Sequence, residues 1–91
     1  MTFNDLKFES LAGMGEQAQV TFPNGYGASV VRGRYTYGGS AGLYELAVRG
    51  PDGRLDYTTP VTDDVLGHLT PAAVTEALGQ IAALPAKKEK P

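Results

Sequence analysis

The stretch that decides the fold is Gln17-Ala18-Gln19-Val20-Thr21-Phe22-Pro23-Asn24-Gly25-Tyr26-Gly27-Ala28-Ser29-Val30-Val31-Arg32. Its first half alternates. Ala18, Val20 and Phe22 point one way and Gln17, Gln19 and Thr21 the other, the period-2 pattern of a half-buried strand. A second strand runs from Tyr26 to Arg32, and the register between the two depends on the loop. If Asn24-Gly25 alone formed it, Val20 would oppose Ser29 and the apolar faces would not match. If Pro23-Asn24-Gly25 all belong to the loop, Phe22 opposes Tyr26, Val20 opposes Ala28 and Ala18 opposes Val30. Every apolar residue then shares a face, and a one-residue slip would turn the whole set to solvent. Pro, Asn and Gly also suit the successive positions of a turn that ends in a left-handed glycine.

Working outward, a first strand is expected over about Asp5 to Ser10, with Leu6 and Phe8 on one face, before a glycine loop from Leu11 to Glu16. Downstream, Leu43 to Arg49 and Arg54 to Thr58 read as a second hairpin. A two-residue Asp52-Gly53 turn, or a four-residue loop from Pro51 to Arg54, pairs Val48 with Tyr57 and Gly50 with Leu55. Arg49 then stands opposite Asp56 as a cross-strand ion pair. Tyr35 and Tyr37 share the parity of Val31, so either a bulge near Gly33 re-aims them or they stand on the outer face. The segment Gly38-Gly39-Ser40-Ala41-Gly42 is expected to be mobile.

After Pro60 the period changes. Thr62-Asp63-Asp64-Val65-Leu66-Gly67 reads as one capped helical turn. Thr70-Pro71 then opens a helix to Leu84, with Thr at the N-cap and Pro at the first helical position. Val74, Ala77, Leu78, Ile81 and Ala82 form its apolar stripe. Together these elements predict an α+β fold: a four- to five-stranded antiparallel β-meander with one C-terminal α-helix packed on one face. A single domain covers residues 1–85, and 86–91 form a disordered tail.

The composition narrows the function. Ninety-one residues with eight basic and ten acidic side chains carry a formal charge of −2, too weak a field to favour nucleic acid. Without cysteine there is no disulfide, thiolate chemistry or sulfur-bound metal. No apolar run approaches the roughly 18–20 residues of a membrane span, and the first residues lack the apolar block of a signal peptide. A soluble cytoplasmic protein is the expectation.

No catalytic, cofactor or metal site emerges from the motifs. His68 is the sole histidine and has no evident partner for general-base work. Asp63 and Asp64 lack a third ligand at a convincing spacing. Gly13-Met14-Gly15 and Gly25-Tyr26-Gly27 lack the third glycine and downstream acid of a dinucleotide fingerprint. The serines lack the nucleophile-elbow context. What remains is one basic-aromatic cluster, Arg32, Arg34, Tyr35 and Tyr37, beside Gly38 and Gly39. Arginine and tyrosine are favoured anchors at protein contacts, whereas two arginines in a net-acidic chain are too few to favour nucleic acid. A small-residue stripe on the helix, around Gly79, offers a homodimer as the alternative.

The blocks from Phe22 to Val31, from Gly42 to Val48 and from Thr59 to Thr70 resemble a group of small phage- and prophage-encoded proteins. The resemblance covers most of the chain from Phe22 to Leu84 and carries no catalytic residue or cofactor with it. It implies an accessory viral protein acting inside a host bacterial cell, where small phage proteins often bind and block a host protein. The expectation is therefore a non-enzymatic module with a protein partner, or else a virion-associated structural component.

Overall fold

The structure, a computed structural model, describes residues 1–86. Apart from Ala86, the expected tail lies outside the described residues. Five strands form one antiparallel sheet in chain order: β1 (Glu9–Ser10), β2 (Gly15–Thr21), β3 (Gly27–Gly33), β4 (Tyr44–Arg49) and β5 (Leu66–Leu69). One helix, α1 (Pro71–Ala82), follows and packs across β3 and β4.

The first hairpin has the register that its apolar parity requires. Ala18 faces Val30 and Val20 faces Ala28, while the Phe22 N–H donates to the Tyr26 carbonyl at 2.7 Å. Gly25 sits at φ 89°, the left-handed position that closes the three-residue loop without a Cβ penalty. β4 continues the same face, setting Leu46 against Val30 and Val48 against Ala28. Val74, Leu78 and Ile81 of α1 are fully buried against it, and each contributes roughly 1.5–3 kcal/mol. Thr70 caps the helix by accepting the Ala73 N–H at 3.2 Å, with Pro71 behind it. The hairpin loop reaches the other end of α1, where the Asn24 amide donates to the carbonyls of Ile81 and Leu84.

Three expectations require correction. The first strand shrinks to Glu9–Ser10, and the chain before it begins in a 3-10 turn over Phe3–Asp5, where the Asp5 carboxylate accepts the Thr2 N–H at 2.8 Å. Leu6 is still buried, and Phe3 and Phe8 pack on Tyr44 with ring centroids 4.9 and 5.5 Å away.

The second hairpin is one residue out of its expected register. Gly50 donates to Arg54 and Gly53 to Gly50, so Pro51-Asp52-Gly53 forms a three-residue loop like Pro23-Asn24-Gly25. Arg49 consequently bridges Leu55, and the Arg49 guanidinium donates to the Gly53 carbonyl at 3.2 Å. Leu55 and Tyr57 are each 46% exposed rather than in the core, and the segment is an isolated bridge rather than a strand. Asp56 is the buried residue. It accepts the Thr58 N–H at 2.8 Å, an Asx-type turn that draws the chain away from β4.

The third correction concerns Thr62 to Gly67. Thr62 does close a turn, accepting the Asp64 N–H at 3.1 Å, but the turn does not become helical. Leu66–Leu69 is instead the fifth strand. Tyr44 pairs with Leu69 and Leu46 with Leu66, so Gly67 and His68 together oppose Glu45 in a bulge. His68 takes φ 55° there. The bulge places both leucines toward the core at a spacing that imitates a helical one.

Candidate functional site

Two turns meet at the end of the sheet opposite the Pro-Asn-Gly loop. The β1–β2 turn is closed by Leu11 donating to Gly15 and Met14 donating to Leu11, each at 2.8 Å. It forces Ala12 to φ 47°, a left-handed value that costs an L-residue roughly 1–2 kcal/mol. The β3–β4 turn is built on Thr36, whose hydroxyl accepts the Gly33 N–H at 2.9 Å and donates to the Gly33 carbonyl at 3.0 Å. Tyr35 rides the apex of this turn at 78% exposure. Leu11, Ala12, Met14, Tyr35 and Thr36 line an open, largely apolar hollow of about 580 Å³, with Ser10 at its border. Met14 is 56% and Leu11 39% exposed.

Ser10 also borders a second open groove of about 590 Å³, which Phe8, Glu9, Arg32, Arg34 and Ser40 help to line. Arg32 belongs to the framework there. Its guanidinium meets Glu16 at 2.7 Å and lies 4.9 Å above the Tyr44 ring. Glu16 and Arg32 are cross-strand partners in the β2–β3 ladder, so the pair is a product of the first hairpin's register.

The structure thus divides the basic-aromatic cluster. Arg34 and Tyr35 are exposed, and Tyr35 stands at the hollow. Tyr37 is also exposed at 62%, but its backbone is tied down, donating to Glu45 Oε2 at 3.0 Å and accepting the His68 N–H at 3.2 Å. Gly38 and Gly39 are packing positions. A side chain at Gly38 would come within 2.8 Å of the His68 Cα, and one at Gly39 would run into the Gly33 carbonyl. The expected mobile segment is a run of hydrogen-bonded turns, with a 3-10 turn over Gly39–Ala41. Gly67 completes the contact, since a Cβ there would lie 2.7 Å from the Tyr37 Cβ.

Leu11 and Met14 read in the sequence only as residues of the glycine loop from Leu11 to Glu16. The available signal was two large apolar side chains in a glycine turn too short to fold back over the core. Among the described residues no group of three or more His, Asp or Glu could hold a metal, and no helix is long and apolar enough to cross a membrane. No protein-family model, curated protein or solved structure matches this chain.

Proposed function

We propose that this chain is a non-enzymatic accessory protein of the small phage type that holds a protein partner at the Leu11, Met14 and Tyr35 hollow, with Arg34 beside it. The observation that carries the reading is the 78% exposure of Tyr35 on a hydrogen-bonded turn, next to the exposed Met14 and Leu11. A large amphipathic side chain with few rotatable bonds, held out by a hydrogen-bonded turn, loses little conformational freedom on contact, which is why tyrosine recurs at interface hot spots. Among the described residues, His68 at positive φ donates its N–H to the Tyr37 carbonyl, and Ala12, also at positive φ, lines the hollow with Tyr35. Backbone strain of this kind concentrates where a surface must keep one shape. The setting, the cytoplasm of a host bacterium with a host protein as target, follows the resemblance of the sequence blocks. Inhibition of that target is the sharper form of the proposal.

The test uses the full chain as bait in bacterial lysate, beside Met14→Ala with Tyr35→Ala and, as a control, Tyr57→Ala on the half-exposed Tyr57. The expected result is a partner retained by the parent and by Tyr57→Ala but lost by the double variant, with a Kd raised roughly tenfold or more. Identical retention by all three chains would remove the hollow as the contact.

A further inference from the structure

The two Pro-X-Gly loops provide a comparison within one molecule. In each, the central side chain closes its own turn: Asn24 Oδ1 accepts the Tyr26 N–H at 3.0 Å, and Asp52 Oδ1 accepts the Arg54 N–H at 3.0 Å. The other arm differs. Asn24 Nδ2 donates to the carbonyls of Ile81 at 2.9 Å, Ala82 at 3.3 Å and Leu84 at 2.9 Å. Ile81 and Ala82 belong to the last turn of α1, whose carbonyls lack intrahelical donors, and Leu84 lies two residues beyond it. The surroundings fix which way the amide points, because carbonyls face one atom and an N–H faces the other. An aspartate at this position would still close the turn, as Asp52 does. It would also set a carboxylate oxygen against three carbonyls at the negative end of the helix dipole.

Asn24 is followed by Gly25, and this pairing has its own chemistry. With no Cβ on the glycine, its backbone nitrogen is free to approach the asparagine side-chain carbonyl carbon. We propose that Asn24 is a modification site, where spontaneous deamidation is gated by the hairpin–helix clasp and yields a product that cannot re-form it. Solvent base removes the Gly25 N–H proton, and the nitrogen attacks Asn24 Cγ. A C–N bond forms, the Cγ–Nδ2 bond breaks and the amide nitrogen leaves as ammonia. Water then opens the cyclic imide at either carbonyl, giving aspartate or isoaspartate.

In the folded chain the reaction is held off from both sides. The Gly25 N–H is committed to the Phe22 carbonyl at 2.9 Å, and the leaving nitrogen is held by the three helix-end carbonyls. The loop must therefore part from the helix end before Cγ can be reached. Once it has reacted, the new negative charge opposes closure. The clasp is a one-way switch that turns with the time the chain spends open.

The experiment incubates the full chain in mildly alkaline buffer and follows position 24 by peptide mass, where conversion adds about one dalton. A free peptide with the sequence from Thr21 to Gly27 runs alongside. The chain is expected to convert roughly tenfold or more slowly than the peptide, because local opening limits the reactive population. Denaturant should abolish the difference. The converted protein and Asn24→Asp should both melt below the parent, while Asp52→Asn melts with it. Conversion of the native chain at the peptide rate would overturn the gating. So would an intact Asn24 in the denatured chain, or an Asn24→Asp variant as stable as the parent.

Discussion

Ala12 shows what one residue can store. Its φ of 47° belongs to glycine or asparagine, yet an alanine holds it in the turn that displays Leu11 and Met14. Ala12→Gly removes the Cβ conflict while adding backbone entropy to the unfolded chain, so the expected net gain is modest, up to about 1 kcal/mol. Chemical denaturation would measure it, and a loss of stability would show that the strain is absent. The same scale explains which site residues were legible in the sequence. Arg32 shares the parity of Ala28 and Val30, and extending the first hairpin's register sets it against Glu16. Its framework role is therefore legible in the sequence, although the same residue also belongs to the arginine-tyrosine cluster. The hollow was not readable. It exists because the β1–β2 and β3–β4 turns lie side by side, and no local pattern reports that adjacency.

At the scale of elements, two hairpins with nearly the same loop had opposite fates. Parity settled the first because both strands present apolar residues to one core. It misled for the second because Leu55 and Tyr57 are apolar residues left half-exposed, while Asp56 is buried. The loop chemistry, Pro-Asp-Gly against Pro-Asn-Gly, was the better guide. β5 was hidden for another reason: it is four residues long, a bulge breaks its alternation, and the Thr62 cap with its two aspartates reads as the start of a helical turn. The true helix was legible from its cap and stripe, and it supports a paired prediction. Leu78→Ala empties a fully buried site and should cost about 2–5 kcal/mol. The adjacent Gly79→Ala places a methyl group where nothing lies within 4 Å, and should gain about 0.8–1 kcal/mol. Thermal melts of the two variants should shift in opposite directions, and a Gly79→Ala variant that melts lower would mean that this face is already in contact.

For the whole molecule, the sheet's two edges matter most. β1 offers two exposed polar residues, and β5 offers four residues broken by a bulge, with the Tyr37 carbonyl occupying the His68 N–H. Short, bulged and covered edges discourage strand addition by another chain. We expect no association through the sheet edges: sedimentation equilibrium at high concentration should show a monomer, and a dimer that survives Gly79→Ala would contradict the edge argument.

The order of the strands has a consequence during biosynthesis. Each strand pairs with its neighbour in sequence, so the meander can assemble as it leaves the ribosome, whereas α1 follows all five strands. Ala28, Val30, Leu46 and Val48 are therefore made before Leu78 and Ile81 exist to cover them. Until α1 docks, the sheet presents a bare apolar face, the kind of surface that chaperones recognise and that aggregates when left alone. A chain cut between Leu69 and Pro71 would keep all five strands and lose the lid that covers them.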